Sequence, residues 1–437
     1  MSKESNINTI LNELVKSGSR IDYLSELKSR SLELTKKDIG LDEALSSIAK
    51  EIKEQTEMFL SGKNEYDINY ITGISTCIYL PDFRCNGEYK LKLIGGKTAR
   101  TRSIKVTENT MFDIASITKL YTLILLFKLE ELGLIDLNKK ISDINPDFQN
   151  LGDFTLNDLV RLHGELRTNG NITQAKSEEE AYSILRTLYL SSDSREENKY
   201  TDFGAIVISD TIEKVISQKT GKKMTFEEIM YEYFLNHINS YQTQFNPLSH
   251  NLSGNGNHQN LAHDPKARIL GGAVGSAGIF TTSDDLARLA KNLYSVNYYN
   301  SQVISKKHLA RLGEITFPNS LQSNKGNLGI YVKHPLGYEK TFTPPEFSNG
   351  SFSHQGWTGS IAVFDPNNLI HNNILVNAVH NSTDKEVVRN DKPAGFGVAF
   401  EEYQKQITRN IMFMYVAKKY YNRYLDVKEN IEVTKYL

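Results

Sequence analysis

Strand-like and helical patterns of apolar residues follow each other along this sequence. Their order restricts the fold more than any other feature. Strand-like runs lie at residues 68–80, 89–94 and 361–379, and the last contains a turn signal at 365–368. Helical spacing dominates from about residue 137 to 312 and returns near residues 394–421. We therefore predict an α+β fold: an antiparallel sheet made from both ends of the chain, flanked by helices, with a mainly helical lobe inserted between them.

The start of the chain carries a helical pattern of its own over residues 5–16. Its apolar positions form one stripe, which consists of Ile7, Ile10, Leu11, Leu14 and Val15. The rest of the chain, a second copy or a partner has to cover this stripe, and all three options stay open. We predict a helical extension over residues 1–38 and a main domain over 39–437, with an α/β lobe at 39–135 and 330–437 and a helical lobe at 136–329.

Composition excludes several classes of partner. The 437 residues are 39% hydrophobic and 24% charged, and the net charge of −1 gives no general attraction to nucleic acid or anionic lipid. The first residues lack the apolar region of a secretory signal, and no stretch approaches the roughly twenty apolar residues of a membrane span. We therefore expect no nucleic-acid partner and no transmembrane segment. The expected location is cytoplasmic, or extracellular if a leader has been removed.

The cysteines and histidines give no metal signature. Cys77 and Cys85 are equidistant from Pro81, and a hairpin turning at Pro81-Asp82 would place them side by side. A disulfide and two free thiols both fit that arrangement. The ten histidines are scattered, and neither H-E-x-x-H nor C-x-x-C occurs. We expect no metal and no other cofactor.

Chemistry is indicated first at Ser116-Ile117-Thr118-Lys119, where a strand-like run gives way to a helical pattern. Residues at i and i+3 of a helix share one face, so the hydroxyl of Ser116 and the ammonium of Lys119 are predicted neighbours. Unpaired N–H groups and the helix dipole stabilise an oxyanion at such a helix start. The place therefore suits a nucleophilic serine, although S-x-x-K alone is a weak signal.

Two later motifs strengthen the signal. Tyr200-Thr201-Asp202 precedes an apolar helical run, and His354-Gln355-Gly356-Trp357 enters a strand-like stretch. In this order the three motifs resemble those of the penicillin-recognising serine hydrolases, the serine β-lactamase and penicillin-binding-protein-like superfamily. The chain resembles its branch of class C β-lactamases, D-aminopeptidases and esterases more than its class A enzymes. The blocks at residues 155–160 and 263–287 add to the resemblance, which runs from about residue 65 to the end.

The resemblance implies a β-lactamase-like fold and a role for each motif. Ser116 would attack an acyl carbon and form an acyl-enzyme. Lys119 and Tyr200 are the candidates for the group that takes the Ser116 proton. The backbone N–H groups of Ser116 and Trp357 would hold the oxyanion, while Gly356 permits close approach of the backbone to the substrate. His163 and His263 are weaker candidates, since a loop-stabilising role fits them equally well.

The chain departs from the family pattern at three points. Asp202 stands in place of the usual asparagine, and His163-Gly164-Glu165-Leu166 replaces a His-Thr-Ser-Gly-Leu run. An inward Asp202 would keep Lys119 protonated and leave Tyr200 as the base, whereas an outward one would only cap the following helix. His354 replaces a lysine suited to a substrate carboxylate, which favours esters or D-amino-acid derivatives over β-lactams. A histidine bonded only within the sheet is the alternative.

These features predict a serine acyl-hydrolase without a cofactor, most simply an esterase or a D-amino-acid peptidase or amidase. Its substrate would be a small-molecule, peptidyl or ester compound, including D-alanyl derivatives. An acyl transferase of the transpeptidase type fits the same residues. A non-catalytic binding protein, with self-association or docking through the N-terminal helix, is the third alternative, and the intact Ser116, Lys119 and Tyr200 weigh against it.

Overall fold

A computed structural model describes residues 2–36, 39–61, 71–83, 87–99, 103–161, 165–191, 200–249, 251–253, 260–299, 303–314, 326–333, 343–378, 398–427 and 429–437. Within these ranges the α-helices are α1 Lys3–Lys16, α2 Leu24–Leu34, α3 Leu41–Ser61, α4 Thr118–Glu131, α5 Ile141–Ile144, α6 Leu156–Val160, α7 Glu178–Leu185, α8 Asp202–Thr220, α9 Phe226–Tyr233, α10 Pro265–Ile269, α11 Ser283–Ser295, α12 Lys306–Leu312 and α13 Val398–Tyr424. Short 3₁₀ turns include Ala115–Ile117 and Asn327–Gly329.

The strands are β1 Gly73–Asp82, β2 Gly87–Gly96, β3 Met111–Asp113, β4 Leu166–Arg167, β5 Tyr189–Leu190, β6 Gln244–Phe245, β7 Leu252–Ser253, β8 Ile279–Thr281, β9 Tyr331–Val332, β10 Phe352–Gln355, β11 Ile361–Asp365, β12 Ile370–Val376 and β13 Asn430–Tyr436. Among the described residues, the main sheet has seven strands in the order β13-β2-β1-β12-β11-β10-β9. Both ends of the chain therefore contribute to one sheet, and the predicted α+β class is confirmed.

The central strands of the main sheet are buried on both faces. Every residue of β1 is buried, including the polar Ser75 and Thr76. One face packs on the terminal helices α1, α3 and α13, where the rings of Phe59 and Tyr403 stack at 4.5 Å. The other face packs on the inserted helices around α4, a helix whose residues from Thr118 to Phe127 are all buried. A helix that is apolar all round belongs in the centre of a domain, and α4 carries the Ser116 motif there.

The apolar stripe of α1 packs against its own chain. Ile7, Ile10 and Leu14 have no exposed surface, whereas Val15 at the edge of the stripe is 52% exposed. The turn after α1 is tied to the segment before β10, because the Asn349 N–H donates to the Ser17 carbonyl and the Arg20 N–H to the Pro345 carbonyl. The domain boundaries at residue 38 and between the lobes stay predictions.

Some sequence-based expectations were wrong in detail. Pro81-Asp82 is not a turn but the end of β1; β12 pairs with β1 only as far as Tyr79, so Pro81 lies where the strand is paired on one side, a position that tolerates proline. Cys77 is a buried free thiol within β1 and faces Lys92 of β2 in register, while Cys85 lies outside the described residues. The sheet is not wholly antiparallel, because the unpredicted strand β13 pairs parallel with β2.

None of the helices in the described ranges has both the length and the hydropathy that a membrane crossing needs. Likewise, the part of the chain that the structure describes contains no cluster of three or more metal-ligating side chains.

Candidate active site

Ser116 lies in a strained turn between β3 and α4. The residue before it, Ala115, has a left-handed φ of 43°, which costs an alanine of the order of 1–3 kcal/mol. The spacing of Ser116 and Lys119 predicted that both lie in the α-helix. Ser116 lies instead in the 3₁₀ turn that leads into the helix. The turn holds the half-buried side chain of Ser116 at the entrance to the helix. Strain of this kind is typical of functional sites.

The side chain of Asp113 holds the strained turn through hydrogen bonds. Its carboxylate accepts a hydrogen bond from the Ala115 N–H at 2.8 Å and another from the His263 N–H at 2.7 Å. Burial raises the pKa of Asp113 to about 7, although both N–H donors act in the opposite direction. His263 thus contributes through its backbone to the support of the turn.

Lys119 lies one turn further, in the first turn of α4, and its ammonium is almost fully buried. Nζ donates to Ser116 Oγ at 3.0 Å, to Asp202 Oδ1 at 2.9 Å and to the Ser276 carbonyl at 3.1 Å. Burial by itself lowers the pKa of a lysine, but the negative charge of Asp202 outweighs this cost and holds the pKa of Lys119 above its ordinary value. The lysine is therefore held as an ammonium, and its N–H groups are shared among these three acceptors and the Tyr200 side chain.

Asp202 points into the site, and it does not cap its helix. Thr201 is the N-cap of α8, and its hydroxyl accepts from the Phe203 N–H at 3.2 Å. This leaves both oxygens of Asp202 for cations: Oδ1 binds Lys119 at 2.9 Å, and Oδ2 binds Lys266 at 2.7 Å. Burial opposes ionisation of Asp202, yet the two ammonium groups hold its pKa well below the ordinary range.

Tyr200 lies immediately before α8, with its ring over the ammonium. The Lys119 Nζ is 5.1 Å from the ring centroid, and the ring is 39% exposed. Gly329, in the 3₁₀ turn at Asn327–Gly329, lies against the Cδ2 and Cε2 atoms of the ring. Tyr200 thus lies between the buried ammonium of Lys119 and the solvent.

The third motif lies beside these residues on β10. His354 is buried, with its ring centroid 6.5 Å from that of Tyr200 and 6.3 Å from that of Tyr331 on β9. Its Nδ1 is 3.1 Å from the Gln355 carbonyl oxygen. The structure therefore places His354 among aromatic rings at the sheet edge, adjoining Tyr200.

A tight turn follows β10. The Gly359 N–H donates to the Gly356 carbonyl at 2.9 Å, and the Thr358 hydroxyl donates to the Asp113 carbonyl at 2.7 Å, which pins the turn to the strand before Ser116. A Cβ on Gly356 would come within 2.4 Å of the Ile114 carbonyl oxygen, so only glycine permits this approach. Trp357 is half exposed at the tip of the turn.

Two backbone N–H groups lie at this junction. Within the described residues, neither the Ser116 N–H nor the Trp357 N–H donates to another protein group. The first belongs to the strained turn, and the second to the turn pinned against it. Paired N–H groups of this kind bind a developing oxyanion when their spacing suits it.

Sequence comparison agrees with this geometry. The family profile named Beta-lactamase matches residues 85–398, well over half of the chain. The chain belongs to the β-lactamase family. It is similar to the N-acetylmuramyl-L-alanine amidase of Bacillus subtilis, at 25% identity over 331 residues, which cover 67% of this chain and 73% of the amidase.

Further likenesses support the same placement. A putative D-alanyl-D-alanine carboxypeptidase of Salmonella gallinarum is 26% identical over 332 residues, covering 66% of this chain and 74% of the carboxypeptidase. The solved structure of a class C β-lactamase in complex with cefoxitin superposes with a TM-score of 0.59 at 16% identity, covering 86% of this chain and 99% of that one. The β-lactamase-like fold is thereby confirmed, in a family of serine hydrolases.

This member of the β-lactamase family has site residues that sequence reasoning did not single out: Asp113, Lys266, Ser276 and Gly329. Lys266 lay within a block recognised by resemblance, but nothing in the block indicated that its ammonium would reach Asp202. His163, in contrast, lies outside the described residues.

The contact between Gly329 and the Tyr200 ring gives a testable prediction. Its φ is +80°, and an added Cβ would lie 2.3 Å from Tyr200 Cε2, so Gly329→Ala must displace the ring. Displacement of a reacting group by about 1 Å costs about 100-fold in rate, and we expect a loss of that order in kcat/KM. Gly133 also has a positive φ, +67°, but nothing lies within 4 Å of its added Cβ. Gly133→Ala should therefore lower the unfolding free energy without this loss of activity; equal losses of activity in both variants would contradict the account.

Proposed function

We propose that this protein is a serine acyl-hydrolase that forms a covalent acyl-enzyme on Ser116. The observation that carries the proposal is the ammonium of Lys119, which lies between Ser116 Oγ at 3.0 Å and the Asp202 carboxylate at 2.9 Å. A free serine hydroxyl is a poor nucleophile at neutral pH, and a buried cation beside it stabilises the alkoxide as the proton leaves. The attack joins Ser116 Oγ to the acyl carbon of the substrate.

Tyr200 is the proposed base. Lys119 is held as an ammonium, so it has no lone pair with which to take a proton. In this proposal Tyr200 reacts as the phenolate: its oxygen takes the Ser116 proton and then gives it to the leaving group, which regenerates the phenolate. The Lys119 ammonium, 5.1 Å from the ring centroid, lies close to the negative charge. Water, activated by the same phenolate, hydrolyses the acyl-enzyme and restores Ser116.

The oxyanion of each tetrahedral intermediate is assigned in this proposal to the N–H groups of Ser116 and Trp357. Both donors lack a protein partner among the described residues, and the turn that carries Trp357 is pinned to Asp113. Such donors are effective because they are already oriented before the reaction begins. Losing one of them typically costs about 2.7–4 kcal/mol in the chemical step.

The proposed substrates are amides or esters with a D-amino-acid or D-alanyl group. The two curated relatives above bear the names of an amidase and a D-alanyl-D-alanine carboxypeptidase, and both activities break amide bonds. His354 occupies the third motif and adjoins Tyr200, and an imidazole is not a permanent cation as a lysine is. A permanent cation for a substrate carboxylate is therefore missing from that position, which favours neutral or esterified groups over β-lactams.

Acyl transfer to an amine is the second candidate, because the same acyl-enzyme serves both reactions. A binding protein without catalysis is less well supported, since Ser116, Lys119 and Asp202 form one bonded set. Docking or self-association through α1 would have to use residues beside its stripe, because Ile7, Ile10 and Leu14 are fully buried.

Turnover of a small substrate panel tests the proposal. A p-nitrophenyl ester, a D-alanyl ester, a D-alanyl-D-alanine peptide and a penicillin would be offered to the wild type, to Ser116→Ala and to Ser25→Ala, which alters an exposed serine on α2. We expect hydrolysis of the esters or of the D-alanyl peptide, a fall of about 10⁴-fold or more in Ser116→Ala, and no change in Ser25→Ala. Equal rates in wild type and Ser116→Ala would refute the proposal.

A further inference from the structure

The Asp202 oxygen that does not bind Lys119 binds a second lysine, Lys266. The reaction described above gives this lysine no role. Lys266 belongs to α10, a short helix capped by Asp264, whose carboxylate accepts from the Ala267 N–H at 2.8 Å. Its Nζ lies 2.7 Å from Asp202 Oδ2 and 5.8 Å from the centroid of the Phe203 ring. About a third of the side chain is exposed, so the ammonium lies at the margin of the buried charges.

We infer that Lys266 is a positioning residue for acyl transfer, which acts by holding the Asp202 carboxylate in the orientation that binds Lys119. The inference rests on the proposed function of Ser116. A carboxylate bound through one oxygen can rotate about its terminal torsion, because that torsion has broad minima. With both oxygens bound, the torsion is fixed and the Lys119 ammonium is directed at Ser116 Oγ.

Charge supports the same role. The groups that surround Asp202 are Lys119 from α4, Lys266 and Asp264 from α10 and its cap, and Tyr200 from its own chain segment. Burial disfavours the ionised form of Asp202, and the two ammonium groups bound to its oxygens offset this cost.

The first test measures how fast a fluorophosphonate reacts with Ser116, a reaction in which Oγ loses its proton, bonds to phosphorus and displaces fluoride. Lys266→Met should react about 10- to 100-fold more slowly than wild type, the effect of one hydrogen bond to a charged group. Lys266→Arg should recover most of the rate, because it keeps the charge and the hydrogen bond. Lys307→Met, which alters an exposed lysine on α12, should match the wild type. An unchanged rate in Lys266→Met would overturn the inference.

A second test asks whether Lys266 acts through Asp202 or only through stability. In Lys266→Met the Asp202 carboxyl loses one of the cations that hold its pKa low, so the pKa rises and activity is lost at a higher pH as the solution is acidified. The acid limb of the kcat/KM profile should therefore move to higher pH. In an Asp202→Asn background, adding Lys266→Met should have no further effect on rate. Additive losses would overturn the inference.

A readout without turnover separates this inference from the proposed function. The Asp202 carboxyl can be followed by carbon NMR in protein labelled at aspartate, with Asp202→Asn for assignment. A titration that moves to higher pH in Lys266→Met, but not in Lys266→Arg, supports the positioning role even if no substrate is found. An unmoved titration refutes it, whereas a wild type that forms no adduct refutes only the function proposed for Ser116.

Discussion

Replacing Lys119 with methionine is expected to slow the acylation of Ser116 by about 10³-fold or more. The substitution fills a similar volume but removes the hydrogen bond to Ser116 Oγ at 3.0 Å, and it leaves the negative charge of Asp202 facing the nucleophile. Asp202 keeps Lys266 at 2.7 Å, so the unfolding free energy should fall by less than the 3–5 kcal/mol typical of a broken buried ion pair.

The measurement for this prediction is the rate of adduct formation with a fluorophosphonate, together with a chemical unfolding curve. A large rate loss with a small stability loss assigns Lys119 to the chemical step. Acylation at the wild-type rate in a folded Lys119→Met variant would show that the buried ammonium serves the fold alone.

Tyr200→Phe is expected to have the next largest effect, a loss of about 10²- to 10⁴-fold in acylation, which is the usual contribution of a general base. The phenyl ring keeps its contact with Gly329 and its place over the Lys119 ammonium, so only the hydroxyl is removed. The unfolding free energy should change little. The loss should appear with esters and amides alike, because the same proton leaves Ser116 in both reactions.

Tyr241→Phe provides the matched control, since Tyr241 is 57% exposed and its hydroxyl binds only Asn239 among the described residues. Its rates should equal those of the wild type. If Tyr200→Phe also acylates at the wild-type rate, a different base activates Ser116, and the proton route through Tyr200 is wrong.

The parts of the site that sequence reasoning predicted are those fixed by local geometry. Ser116 and Lys119 are three positions apart, and a turn entering a helix brings such residues together whether its first residues are 3₁₀ or α. The sequence left two roles for Asp202: pointing into the site or capping the following helix. The Thr201 hydroxyl caps that helix, so both oxygens of Asp202 are free to bind cations.

The parts that were missed depend on contacts between distant segments. Lys266 reaches Asp202 only because the chain brings α10 near the first residue of α8, and no local pattern of charge indicates that approach. Gly329 is needed because the Tyr200 ring lies against it, which is a property of the tertiary structure. Strand β13 was missed for a similar reason: its exposed, alternating residues are stable as a strand only beside β2.

The central claim is that Ser116 becomes covalently acylated, and intact-mass spectrometry after reaction with a fluorophosphonate and with an activated D-alanyl ester tests it most directly. The account predicts one adduct per chain, mapped by peptide analysis to the segment that contains Ser116 and absent from Ser116→Ala. An adduct of equal yield in Ser116→Ala, or one mapped to another residue, would contradict the account.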